Sequence, residues 1–433
     1  GGIAMGLLAG VAAVDITPPV GTMLAGFAAR DHGAERVHDA LHSKALVLDD
    51  GATRVCLITN DLLGLPVELV ELIRAEVERT TGIPGGNVLV NCSHTHSGPM
   101  MREGQLPGVV ARQIAGAARM AAKRLAPARV GGGGGPVQVG INRRELRDGQ
   151  IVLGRDASKP VAPWVDVLRV DTAEGEPLAT LFMHACHPVT RAASSYEISA
   201  DFPGAAQGVM EGVYPGTTAM FAQGCSGNIN SEPVGGTWED VRRLGTMLGG
   251  EVVKVRETIA TTDEARLAVT HERVELPLQK IPPMKQVERE IVAAEKALAE
   301  AEGRGSNAET NMYRAFAATW VKLREMKERG EELEPMVFPL QGIAIGDTAL
   351  VALPGEIFVE YALYAEKVSP FGQTLCLGCS NGSGTYVPTA AALEEGGYEV
   401  SFTPLWWGRL PFAADMEGVL REGIGRVLGR LRG

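Results

Sequence analysis

Asn87–Met101 reads NVLVNCSHTHSGPMM, and the rest of the chain arranges itself around it. The apolar, β-branched run Val88, Leu89, Val90 leads into Cys92, His94 and His96 and then into a Ser97-Gly98-Pro99 turn, the pattern of a buried strand ending in a loop. Side chains alternate along a strand, so Cys92, His94 and His96 share one side if the extended geometry lasts through Thr95. Two histidines at a strand end suit a metal or acid/base site. They suit equally a pair of hydrogen-bonded histidines at a sheet edge, so the partners must come from elsewhere.

Upstream, Ala45–Asp49 and Val55–Asn60 read as strands. Val67–Thr80 sets Val70, Ile73 and Val77 on one stripe and closes on Gly82 and Pro84, an amphipathic helix leading into the central strand. A second helix covers roughly Val109–Leu125. The run Gly131–Gly135 precedes a strand, Val137–Ile141, rather than opening a helix, so it reads as a flexible turn and not as a phosphate cradle. Val167–Val170 and Leu178–Met183 are further strands, the second delivering His184 and His187. Gly224–Asn230 is polar and glycine-rich, fit for close backbone approach to a ligand. A helix follows from Trp238 to about Ile259. Gly342–Leu353 gives two short strands ending in Pro354-Gly355-Glu356, and a last helix spans about Asp415–Leu431. Strand and helix signals interleaved in this way predict an α/β fold of mixed β-sheets flanked by helices.

One segment differs. Lys285–Gly330 is charged and rich in Ala, Glu and Lys, with Val287, Ile291, Leu298 and then Met312, Phe316, Trp320, Leu323 at helical spacing on either side of a break near Gly303–Ser306. It predicts a helical hairpin inserted in one domain spanning 1–433, acting as a scaffold excursion, a lid or a dimer arm. A two-helix hairpin has too little interior for Phe316 and Trp320, which points to a possible homodimer.

Bulk properties narrow the function. The 433 residues carry 41 basic and 52 acidic side chains, a net charge of −11 with no Lys/Arg-rich run, which argues against nucleic acid as a partner. No apolar run reaches the length of a transmembrane segment, and Ile3–Val14 lacks a preceding basic region. A cytoplasmic location is favoured, while Gly1-Gly2, readable as a cloning scar, leaves a removed signal peptide open. Six scattered cysteines form no disulfide scaffold, and the lone Cys376-Leu-Gly-Cys379 reads as buried thiols rather than a zinc knuckle or redox pair.

The histidines are unevenly placed. Seven of eight lie at or before His187, and His94, His96, His184 and His187 stand at two strand ends. Strand ends converge in α/β sheets, so the two pairs can face one another. A carboxylate from a third strand end would complete a His-His-Glu set with an open position for water, and Glu356 is the candidate.

These residues resemble the N-terminal catalytic domain of the neutral/alkaline ceramidase superfamily. The likeness is carried by His94-Thr-His96-Ser-Gly-Pro99, His187-Pro-Val189 with Ser199-Ala-Asp201, Phe221-Ala-Gln223 with Gly227-Asn-Ile-Asn230, Leu353-Pro-Gly-Glu356 and Tyr386-Val-Pro-Thr389, in the family's order from Asp15 to about Val419. Nothing matches the immunoglobulin-like C-terminal domain of true ceramidases. The resemblance implies one Zn2+ per chain held by His94, His187, Glu356 and Tyr386, with His96 contacting substrate or moving a proton. It also implies active-site roles for Arg143 and for Tyr398, twelve residues after Tyr386.

One departure bears on chemistry. Where ceramidases carry a reactive serine in Gly-Asp-Val-Ser-Pro-Asn, this chain has Gly227-Asn-Ile-Asn230-Ser231-Glu232, which puts Asn230 at the serine's place and Ser231 one residue late. A one-residue shift in an extended segment turns the side chain away. The sequence thus points to a zinc-dependent amidase in which water on zinc attacks an acyl-amide, Asn230 binding the carbonyl or oxyanion. The substrate is a small molecule other than ceramide. An esterase or lactonase on the same site, or a metal-retaining binding module, are the alternatives.

Overall fold

The apolar runs are buried on both faces. In Arg54–Asn60, Val55 and Leu57 enter one core and Cys56 and Ile58 another; in Val88–Cys92, Leu89 goes with the first set and Val88, Val90 and Cys92 with the second. Strands of this kind lie between two layers. A computed structural model, which describes residues 6–102, 104–382 and 384–433, shows what the layers are. Gly1-Gly2 and the start of the Ile3–Val14 stretch fall outside the described residues.

An eight-stranded sheet runs in the order Thr218–Gln223, Pro177–His184, Trp164–Thr172, Ala126–Pro136, Leu8–Asp15, His42–Asp49, Arg54–Asn60, Val88–Cys92. A four-stranded sheet, Leu267–Leu276, Met336–Ile345, Thr348–Ala352, Gln373–Leu377, packs on its inner face; Leu46, Leu57, Leu181 and Met220 meet Ile343, Leu350, Leu375 and Leu377. Helices Val67–Thr81 and Leu106–Ala122 cover one half of the large sheet's outer face, and Asp201–Val213 and Trp238–Thr258 the other. Helices Val359–Val368 and Met416–Arg432 cover the small sheet. The mixed α/β architecture expected from the sequence is thus a helix–sheet–sheet–helix stack.

Two local expectations change. Gly131–Gly135 is no turn: it lies within the strand Ala126–Pro136, paired along its length with Trp164–Thr172. The reason is space. A Cβ on Gly131 would sit 2.1 Å from the Ala260 carbonyl oxygen, one on Gly132 2.1 Å from Thr348 Oγ1, and one on Gly135 2.3 Å from Glu251. Glycine lets this strand lie between the Trp238–Thr258 helix end and the small sheet. The strand expected at 137–141 begins instead at Gly140 and runs to Arg147.

The hairpin forms as Met284–Arg304 and Asn307–Glu328, joined by left-handed Gly305 and capped by Ser306, whose side chain accepts from Glu309 N–H. Its apolar stripe is covered within the chain. Val287, Ile291, Phe316, Trp320 and Leu323 pack against Leu405, Trp406 and Leu410, and Thr319 Oγ1 donates to the Leu405 carbonyl at 2.8 Å. The burial that pointed toward a second subunit is supplied by the segment that walls the cavity described next.

Candidate metal and catalytic centre

The strands Val88–Cys92, Thr218–Gln223 and Gln373–Leu377 end close together, where Asn91 Nδ2 donates to the Gln223 carbonyl at 3.3 Å and to the Gly378 carbonyl at 2.9 Å. Functional groups beyond those ends therefore meet. The alternation expected through Thr95 stops at Cys92. That side chain stays with Val88 and Val90 under the helices, while His94 takes φ 67°, its N–H bonds to the Leu62 carbonyl, and its ring swings into the crevice.

His94 Nδ1 lies 2.8 Å from the Leu63 carbonyl, and His187 Nδ1 lies 2.7 Å from the Ser226 carbonyl. Carbonyls only accept, so each Nδ1 carries a proton and each Nε2 is the nitrogen left to offer a lone pair to a cation. Those lone pairs face one oxygen: Glu356 Oε2 is 2.9 Å from His187 Nε2 and 3.3 Å from His94 Nε2. Three acceptors at such range need positive charge between them. Although burial opposes it, the Cys379 thiol and Glu356 hold His94 well above the usual histidine range, whereas burial and neighbouring Arg143 push His187 down to about 4. Despite burial, His94 and His187 keep Glu356 well below the usual carboxylate range. A dication would fill the role of the proton that this set otherwise draws in, so the residues fit a metal.

His96 completes the cluster. Nitrogens of His94, His96 and His187 all lie within 4.8 Å of one another, and neither ring nitrogen of His96 has a hydrogen-bond partner among the described residues. Burial and then the other two histidines pull it well below its usual range. Phe27 packs edge-on at 4.8 Å, under a loop that passes so close that a Cβ on Gly26, at φ +95°, would lie 2.5 Å from the His96 ring. Only glycine fits there.

Beside the cluster, Arg143 Nη1 is 3.2 Å from Asn230 Oδ1 and 3.4 Å from His187 Nε2. Tyr386 sits next to Glu356 through the parallel pair Glu356–Ile357 and Tyr386–Val387, and Tyr398 stands 5.9 Å from it, ring to ring. A cavity of about 300 Å³ opens over His94, His96, Glu356, Tyr386 and Tyr398, walled by Phe27, Met100, Met101, Trp406 and Trp407.

Of the two histidine pairs, His184 is the one left out: its Nδ1 bonds the Trp164 carbonyl at 2.8 Å, inside the layer of the sheet. As the last residue of a paired strand it cannot turn toward the crevice, whereas His187, past Ala185 and Cys186, can. Ser231 points elsewhere too, its hydroxyl donating to the Pro233 carbonyl. Both CxxC cysteines are buried free thiols as expected, but they part company: Cys376 Sγ packs 3.6 Å from Cys225 Sγ, while Cys379 lines the cavity.

Sequence reasoning gave no role to the polar clamp behind the histidines. Asn91 Nδ2 donates to the Gly378 carbonyl and Ser380 Oγ, its Oδ1 accepts from Gln223 N–H, and Gln223 Nε2 donates to the Ser93 and Cys186 carbonyls. The clue was an asparagine inside VLVNC, since a buried amide must find partners.

No family model matches the chain. Among solved structures, the neutral ceramidase from Pseudomonas aeruginosa superposes with a TM-score of 0.74 at 18% identity, over 99% of this chain and 75% of that one. A ceramidase solved "complexed with C2" gives 0.75 at 16% identity, again over 99% and 75%. The chain has the ceramidase fold.

Proposed function

We propose that this ceramidase-fold chain is a zinc-dependent hydrolase that cleaves an acyl-amide bond with water. The observation that supports it most is the meeting of His94 Nε2, His187 Nε2 and Glu356 Oε2, three lone-pair donors at one point with both imidazoles fixed from behind. Tyr386, adjacent to Glu356, is the fourth candidate ligand. When bound, zinc brings the pKa of a coordinated water to about 7 and polarises a carbonyl.

The chain's own groups supply the rest. Asn230 turns Oδ1 toward Arg143, which leaves its amide N–H groups as the donors it can offer. With Arg143 and the Tyr398 hydroxyl they serve the oxygen that gains charge as the carbonyl is attacked. His96, with neither ring nitrogen committed to a hydrogen bond among the described residues, is the group placed to move a proton toward the departing nitrogen, without which an amine cannot leave. The apolar walls exclude water and receive the acyl group. About 300 Å³ is at the small end for ligand pockets, which with Asn230 in place of the family's serine supports a small acyl-amide rather than ceramide.

A turnover screen of the zinc-loaded protein across amides, esters and lactones, run beside Glu356→Gln, tests the reading. Amide cleavage lost in the variant is the expected result. Cleavage of esters or lactones alone would move the reading to that class, and a zinc-loaded parent inert to all three would end it.

A further inference from the structure

Arg143 owes its place to a residue with no part in the scheme above. Its Nε donates to Glu399 Oε1 at 2.8 Å, and the other carboxylate oxygen accepts from Arg144 Nη1 at 2.7 Å. Glu399 is 1% exposed, Arg143 4% and Arg144 2%, so one carboxylate is buried between two guanidinium groups. Arg144 is anchored in turn by the Gly396 carbonyl at 2.8 Å and Glu395 Oε2 at 3.1 Å. Consecutive residues of a regular strand lean to opposite faces. Here both reach the same carboxylate, where the pairing of Gly140–Arg147 with Gln150–Asp156 slips: Asn142 faces Asp156, Arg144 faces Leu153, and Arg143 has two residues opposite it.

We infer that Glu399 is a positioning residue for Arg143 and Tyr398. A guanidinium set 3.4 Å from the nitrogen of a metal-binding histidine would be repelled by a bound cation. The carboxylate holds it there, fixing Nε so that Nη1 reaches Asn230 while the guanidinium lies 5.2 Å from the centre of the Tyr386 ring. The same ion pair pins the turn Tyr398–Phe402, where Tyr398 is the preceding residue. One buried charge thus sets two of the groups assigned to the developing oxyanion.

The rate effect rests on the hydrolase reading; the geometry does not. The zinc-loaded full chain is compared with Glu399→Gln, Glu399→Asp, Arg143→Lys and the Glu399→Gln/Arg143→Lys double variant, measuring kcat, KM and zinc content on an acyl-amide, with crystal structures of parent and single variants. Glu399→Gln should lower kcat about 100-fold, the scale of a misplaced catalytic group, with KM within about threefold and zinc retained. Glu399→Asp, which keeps the charge, should recover at least about tenfold of that loss. The double variant should be within about twofold of Arg143→Lys, because one residue acts through the other. Additive losses, or zinc lost with Glu399→Gln, overturn the inference. If the parent turns over nothing, the hydrolase reading fails by itself, and the crystals decide: Arg143 still bonded to Asn230 in Glu399→Gln sinks the positioning role, and a displaced guanidinium upholds it. Should Glu399→Gln not fold, the Asp variant carries both arms.

Discussion

His187 Nε2 lies 2.9 Å from Glu356 Oε2, although 169 positions of chain separate them. The histidine arrives past an end of the eight-stranded sheet and the glutamate past an end of the four-stranded one, so the contact exists only because the two sheets stack with those ends aligned. A lone pair and a carboxylate oxygen do not hold each other. Their proximity is stable only with a positive charge shared between them.

The first expectation follows from that. Purified protein should carry about one zinc, and His94→Ala, His187→Ala and Glu356→Gln should each deplete it after dialysis, read by elemental analysis. Restoring zinc to metal-free parent at a hundredfold excess over Kd should stabilise it by about 2.7 kcal/mol, an effect the three variants lose. Full occupancy in all three would remove the site.

How much of this was legible in the sequence depended on range. The apolar, β-branched run marked Val88–Val90 as a buried strand, and helical spacing placed Val70, Ile73 and Val77 on one face, because those patterns are local; the alternation expected on through His94 and His96 did not survive the turn of the backbone after Cys92. The choice between His184 and His187 was not local. It turned on which residue lies past the last ladder pair, His184 with Gln223. The left-handed backbone at His94 and the partnership of Glu399 with Arg143, 256 positions away, leave no periodic trace at all. The glycines of 131–135 misled for a related reason: what forbids a side chain there is the approach of Ala260 and Thr348 from other elements.

Ser231 offers a test of the nucleophile. Its hydroxyl donates to the Pro233 carbonyl and is 1% exposed. Ser231→Ala should therefore leave turnover within a few-fold of the parent, with no acyl-enzyme trapped on quenching. A covalent adduct on Ser231 by mass spectrometry would replace direct attack by water with a serine mechanism.

The hairpin should behave as a brace for the cavity wall. Trp320 packs with Trp406, which lines the cavity, and Phe316 stands 6.1 Å from Phe402. Trp320→Ala should cost about 3–5 kcal/mol of stability and raise KM, since the wall loses its backing. Light scattering at micromolar concentration should give the same mass for parent and variant. A parent of twice the chain mass that falls to one chain on substitution would make the stripe a subunit contact instead.

Trp164 couples two buried groups that titrate against each other. Its carbonyl meets His184 Nδ1 at 2.8 Å, and its indole N–H donates to Asp166 Oδ2 at 3.0 Å. Burial pushes His184 down to about 4, and burial pushes Asp166 up to about 7. Between about pH 4.5 and 6.5 the unfolded chain protonates the histidine but not the aspartate, and the folded chain does the reverse, so proton counts match and these two groups cancel. Removing either exposes the other. In Asp166→Asn the depressed histidine remains, and stability falls with falling pH by roughly 2–3 kcal/mol relative to the parent. In His184→Gln the raised aspartate remains, and stability rises by a similar amount over the same window. Urea unfolding of the three proteins at intervals from pH 7 to 4.5 reads both slopes, and two variants that simply track the parent would show that neither group is perturbed as its burial requires.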